Sequence, residues 1–254
     1  MIEMTEKVLA AIRHPILAYV RRSSNLDFTE LLLHERLQSR GLLDDITTVI
    51  DAGAHYGDYA RLFSYVMPAA KIICFEPVPD TFKILQEQTA SKPQISAYCM
   101  ALGGRAERVL MNVSGMDQAS SLLEMTDVHR NLWPDSAPCK PVKVEVTTLD
   151  AFVAEHAITG DILLKADVQG FELELLKGAK SVLRQIRLIR LEVSFVPLYQ
   201  GAPAFSEVCA FLETNGFRLH SMVGDVKALG HELPVQGDFL FINSTYKNPK
   251  ESTG

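Results

Sequence analysis

The sequence predicts an α/β fold built on one doubly wound sheet, and three observations predict it. Thr48, Val49 and Ile50 run into Asp51, Gly53 and Gly57 and then an apolar-periodic segment, which is the order strand, tight glycine turn, helix. Short apolar and β-branched runs at 71–75 (KIICF), 162–166 (ILLKA) and 188–193 (LIRLEV) alternate with helical stretches, the pattern of a parallel sheet covered on both faces. At 254 residues, with 47% hydrophobic and 22% charged residues, the chain is long enough for one large domain with a substantial core.

Residues 1–45 read as a helical cap in two pieces, 5–22 and 28–40. Asp27 is placed to cap the second piece, with Glu30 three residues later, and Gly41 to stop it. The apolar stretch near the N-terminus is broken by Arg13, His14 and Pro15, and no run reaches the length of a membrane span, so a helix packed on the domain is expected.

The core domain is expected over 46–243. After the glycine turn come strand 71–75, a helix over 80–89 with Phe82, Leu85 and Ile84 inward, and a third strand over 95–100. Residues 108–113 and 142–147 alternate as edge strands do, and 114–141 between them is expected to be irregular, either a binding loop or a packed surface insertion. A helix over 149–156 begins at the capping residues Thr147 and Thr148. Strand 162–166 ends at Asp167, followed by Gly170 and a helix expected over 171–183. Strand 188–193, a helix over 206–215 stopped by Gly216, and a terminal antiparallel hairpin of 217–222 with 239–243 complete it, leaving 244–254 as a flexible tail.

The net charge of −6 argues against nucleic acid as a partner bound through a basic surface. Cys74, Cys99, Cys139 and Cys209 form no C-x-x-C pair and no zinc spacing, so buried free thiols in a reducing, cytoplasmic compartment are expected. Oligomeric state is left open.

Glu76 closes the second strand, nineteen residues beyond Gly57. In nucleotide-binding α/β units an acid there accepts hydrogen bonds from ribose hydroxyls. The turn's spacing, G-x-x-x-G, is neither the dinucleotide fingerprint nor a P-loop.

Three stretches together resemble the FkbM-type methyltransferases: 49–63 (VIDAGAHYGDYARLF), 75–85 (FEPVPDTFKIL) and 163–179 (LLKADVQGFELELLKGA). The resemblance implies a class I, Rossmann-like seven-stranded fold, S-adenosyl-L-methionine as cofactor, and methyl transfer, mostly to hydroxyl oxygens of sugars or natural products. It implies that Asp51, Gly53 and Gly57 line the donor's methionine end, with His55 a cofactor-binding candidate in the same turn, that Glu76 holds the ribose, and that Pro77 and Val78, with Ala101 and Leu102, border the adenine. His55 stands where the family commonly has Asn; both side chains hydrogen-bond, so the turn is expected to survive.

Asp167 ends its strand at the sheet edge where open α/β sheets bind ligands, which makes it the first candidate for base or hydroxyl anchor, against a second reading as a helix N-cap. Glu172 and Glu192 are placed to assist it, or to hold a divalent metal with it through oxygen ligands. Lys165 is expected to pair with an acid, and Arg187 and Arg190 to flank the sheet. His220 and His231 fall in the terminal strand region, where either a place near the acceptor or a bland surface role is open. The expected partner is a small-molecule or glycan acceptor. Two rivals remain at this point: a non-catalytic donor-binding or interaction domain, and an NAD-dependent oxidoreductase on a Rossmann-like fold.

Overall fold

The computed structural model describes residues 28–137, 139–227 and 235–245. The expectations for the first helical piece, Asp27, His231 and most of the tail lie outside the described residues.

Helix α1 (Phe28–Ser39) ends at Gly41. Gly41 has φ 71° and its N–H bonds Gln38 O, while Leu42 N–H bonds Leu37 O; this pair of bonds satisfies the last carbonyls of the helix. Then follow β1 (Ile46–Ala52), α2 (Asp58–Val66), β2 (Lys71–Phe75), α3 (Pro79–Thr89) and β3 (Ile95–Tyr98). Next are β4 (Ala101–Leu102), β5 (Glu107–Ser114), α4 (Asp127–Leu132), β6 (Cys139–Thr147) and α5 (Leu149–Glu155). The chain continues through β7 (Asp161–Ala166), α6 (Glu172–Lys177), β8 (Ile186–Ser194), α7 (Phe205–Thr214), β9 (Phe217–Lys227) and β10 (Gln236–Asn243).

Seven strands form the main sheet in the order β3-β2-β1-β7-β8-β10-β9, parallel except for the β10 pairings with β8 and β9. This is the doubly wound sheet with a C-terminal antiparallel hairpin that the sequence predicts. Apolar side chains cover both faces. Ile50, Phe75, Leu164, Ile189 and Leu191 pack with Phe152 of α5, Leu176 of α6 and Leu212 of α7. On the opposite face Val49, Ile72, Leu163, Leu188 and Leu240 pack with Phe63 of α2, Leu85 of α3 and Leu37 of α1. Because the parallel strands carry helices on both sides, their sequences run apolar without alternation.

Four expectations need correction. The runs at 108–113 and 142–147 are not edges of the main sheet; they lie in β5 and β6, which with β4 make a separate three-stranded sheet, order β4-β6-β5. The helix expected over 171–183 stops at Lys177. Gly178 lies against Gly103, where a Cβ would stand 2.0 Å from the Gly103 carbonyl oxygen, and the Asp150 carboxylate accepts from the N–H groups of Ser181 and Val182. Ile84 points outward, since α3 turns Leu85 to the core instead. Arg187 and Arg190 sit within β8 and are buried: Arg187 reaches Asp45 and the Gly41 carbonyl, and Arg190 reaches Tyr59 and Asp238. Of the four free cysteines Cys74 is buried, whereas Cys139 is exposed.

Candidate active site

The parallel strands bring the ends of β1, β2, β7 and β8 to one edge of the sheet. Past β1, Gly53 (φ 74°), His55 (φ 49°) and Gly57 (φ 82°) carry the chain through a left-handed turn. His, like Asn, adopts this region more readily than bulkier side chains, so the turn is intact with His55. The glycines are set by packing as well as by φ. A Cβ on Gly53 would lie 1.9 Å from the Asp167 carbonyl oxygen, and one on Gly57 would lie 2.6 Å from Leu85 Cδ1. Helix α2 begins at this turn with Gly57 at its N-cap, a residue without a side chain to bond the first N–H groups.

Glu76 joins the turn to the end of β2. Its carboxylate accepts from His55 N–H at 3.0 Å and from Val78 N–H at 2.9 Å. Burial pushes the acid up to about 7, against the lowering effect of those two N–H donors. Pro77 follows at the same edge, its carbonyl near Cys99 Sγ. Ala101 and Leu102 are buried in β4, and the Leu102 side chain belongs to the core. Only their backbone can border a ligand.

Asp51 is fully buried and ion-paired with Lys165 Nζ at 3.2 Å, and Asp51 Oδ2 has no hydrogen-bond partner among the described residues. Burial raises the Asp51 carboxyl. Lys165 also meets the Gly53 carbonyl at 3.4 Å, so the expected partner acid is Asp51.

The three carboxylates past β7 and β8 have different surroundings. Glu172 is buried, and its Oε1 accepts from Val168 N–H and Gly170 N–H, both at 3.2 Å, so it is committed to the loop's backbone. Burial pushes it up to about 7. Glu192 accepts from Gln236 Nε2 at 2.8 Å and from Gln169 Nε2 at 2.9 Å. Asp167 accepts from the same Gln169 Nε2 at 2.6 Å through Oδ1, while Oδ2 accepts no hydrogen bond from the described residues. Asp167 is not a helix N-cap; Phe171 holds that position.

Sequence reasoning missed Gln169 and Gln236. Gln169 lies inside the motif at 163–179, two residues past Asp167, but an amide carries no charge pattern that marks it. Segment 114–137 is not a simple irregular insertion. Its Ala119 and Met125 pack with Leu198 and Tyr199, and the Ser121 hydroxyl donates to the Gln169 carbonyl at 2.7 Å. Trp133 and Tyr199 therefore belong to a buried cluster, and Phe195 is partly exposed. His220 lies on β9 with its Nδ1 3.1 Å from the Ser221 hydroxyl.

No group of three or more metal-ligating side chains forms among the described residues. The Gln169 amide nitrogen stands between Asp167 and Glu192, and Glu172 is held by backbone, so the trio expected as metal ligands does not converge. The turn does suit an adenosyl amino acid: the helix start after Gly57 for a carboxylate, a buried acid oxygen at Asp51 for an ammonium, and Glu76 for hydroxyls. Among the described residues no helix is long and apolar enough to cross a membrane.

Residues 51–219 match the family model described as the methyltransferase FkbM domain. The 2-O-methyltransferase NoeI of Sinorhizobium fredii is 27% identical over 159 residues, which cover 60% of this chain and 65% of that protein, just under two thirds of its length. Among solved structures, precorrin-6y C5,15-methyltransferase from Geobacter metallireducens matches with a TM-score of 0.45 and 12% identity, over 87% of this chain and 91% of that one. Magnesium protoporphyrin IX methyltransferase (ChlM) from Synechocystis matches with a TM-score of 0.41 and 11% identity, over 95% and 96%.

Proposed function

From the premise that this chain belongs to the FkbM methyltransferase family, we propose that it is an S-adenosylmethionine-dependent O-methyltransferase acting on a hydroxyl of a sugar, glycan or polyketide-like compound. The observation that carries the reading is the division of the sheet edge. A nucleoside-ready half (Gly53–Gly57 turn, Glu76) lies at β1 and β2, and Asp167, an acid with one oxygen unengaged among the described residues, lies at the neighbouring β7. The relative named as a 2-O-methyltransferase supports oxygen as the acceptor atom.

When bound, S-adenosylmethionine supplies an electrophilic methyl group. The residues of the chain then divide the remaining work. Asp51 and the start of α2 hold the amino-acid end, Glu76 holds the ribose hydroxyls, and the backbone at Pro77, Ala101 and Leu102 borders the adenine. A neutral alcohol is a weak nucleophile, so Asp167 Oδ2 accepts its proton as the oxygen attacks. Most of the rate enhancement comes from holding both partners in line.

Calorimetric titration with S-adenosylmethionine, S-adenosylhomocysteine and NAD tests the cofactor. The two adenosyl ligands should bind and Glu76→Ala should abolish that binding; tighter binding of NAD would favour the oxidoreductase rival. Transfer of tritiated methyl to a panel of glycosides and nucleotide sugars tests the reaction. Asp167→Asn should spare binding and remove transfer, whereas binding with no transfer to any acceptor would support an interaction domain.

A further inference from the structure

We infer that Gln169 is a positioning residue whose carboxamide keeps Asp167 and Glu192 ionised side by side and holds Asp167 in one orientation. The proposal rests on the reading of Asp167 as the base.

Gln169 is held on every side. Its Nε2 donates to Asp167 Oδ1 at 2.6 Å and to Glu192 Oε2 at 2.9 Å. Its Oε1 accepts from the Tyr199 hydroxyl at 2.8 Å, and its backbone carbonyl accepts from the Ser121 hydroxyl at 2.7 Å. It does this from φ 52°, a left-handed conformation unfavourable for a residue with a side chain. Such strain persists where surrounding contacts over-determine it. The amide's orientation follows from chemistry: ionised carboxylates only accept, so the NH2 must face them, and the hydroxyl of Tyr199 is left to donate to the oxygen. Tyr199 is itself buried, and burial raises its hydroxyl, so it remains a donor.

Two carboxylates bonded to one amide nitrogen repel, and each like charge disfavours the ionised form of the other. Hydrogen bonds donated to the charged forms oppose this, and here one amide serves both acids. The other charged or titratable groups around the pair have partners of their own. Lys165 on β7 pairs with Asp51 on β1, and Arg190 on β8 pairs with Asp238 on β10. Glu172 on α6 is bound to backbone N–H groups. Gln236 Nε2 also donates to Glu192, at 2.8 Å, but the Gln169 amide is in hydrogen-bond contact with both acids. An Asp167 held in one orientation, with Oδ2 unengaged among the described residues, is what a base needs before an alcohol arrives.

The test is a carboxyl-carbon NMR titration of the full chain saturated with S-adenosylhomocysteine, with Asp167 and Glu192 assigned by their loss in Asp167→Asn and Glu192→Gln. Wild type supplies the reference titration of both acids. In Gln169→Leu one of them should keep its proton to a pH at least about one unit higher, a tenfold shift in its ionisation constant. Tyr199→Phe, which frees the amide to turn, should shift the same acid by less. A folded Gln169→Leu that binds S-adenosylhomocysteine normally and titrates like wild type overturns the proposal. If Gln169→Leu does not fold, Tyr199→Phe decides alone: a shift supports the proposal and none overturns it. A purely structural role for Gln169 would lower stability without moving either titration. Methyl transfer surviving Asp167→Asn would sink the base assignment and leave the titration result standing, so the two failures are distinguishable.

Discussion

Lys165 and Arg190, register partners on β7 and β8, share one aromatic ring: Lys165 Nζ lies 4.8 Å and Arg190 Cζ 4.7 Å from the centroid of Tyr59. Two buried cations on adjacent strands repel, and the structure answers with Asp51 on one side, Asp238 on the other and the ring's electron-rich face between them. Lys165→Met should therefore cost about 3–5 kcal/mol, because it leaves Asp51 buried and unpaired. The double variant Asp51→Asn/Lys165→Met should recover most of that loss in urea unfolding. Equal losses in single and double variants would show that the pair contributes nothing specific.

Gly53→Ala should destabilise by about 3–5 kcal/mol, summing a left-handed φ penalty and the displacement of the Asp167 backbone. Gly201, with the same φ of 74° but no atom within 4 Å of its would-be Cβ, supplies the control. Gly201→Ala should cost only about 1–2 kcal/mol. Comparable unfolding midpoints for the two variants would contradict the packing account.

The sheet was legible because its signals are local. Residues 71–75 alternate with nothing and end in Glu-Pro, and β2 spans those same residues. The carboxylates at Glu76 and Asp167 were legible as strand-end acids. What the sequence hides is long-range. The stop of α6 at Lys177 depends on Gly178 meeting Gly103, some seventy-five residues away in the chain. The distinct roles of Glu172 and Asp167 depend on which backbone N–H groups fold back onto them, and Gln169 acquires its partners from β8 and the 195–202 loop. A charged residue announces itself in a sequence; the amide that organises it does not.

Glu172 makes stability depend on pH with a definite sign. Its folded pKa of about 7 lies above the ordinary 4.5, so the native state binds the proton more tightly than the unfolded chain. The stabilisation is fully present below pH 4.5 and is lost as pH rises through about 7. Glu172→Gln should flatten that part of the stability profile, leaving the parallel contribution of Glu76. Chemical denaturation across the acid-to-neutral range measures it, and an unchanged slope would refute the assignment.

Glu76 should make donor affinity rise with pH. Below about 7 the acid is protonated and loses acceptor capacity for ribose hydroxyls; above it both oxygens accept. Calorimetry with S-adenosylhomocysteine should show tightening through that value in wild type. Glu76→Gln, fixed in a neutral form, should bind about tenfold or more weakly with a flat profile. A wild-type affinity independent of pH would argue that Glu76 does not face the ligand.

The excursion that carries the chain out of the main sheet closes on itself: Gly103 N–H bonds the Thr147 carbonyl at 2.9 Å, so its two ends meet beside β4 and β6. A segment with adjoining ends can be lengthened, shortened or inherited from another gene without altering the register of the seven strands. Yet this segment also brings Ser121, the hydroxyl that tethers Gln169. Recombination at this joint thus exchanges the small sheet and the Ser121 tether of Gln169, and with it the support of the acid proposed as base, as one heritable unit.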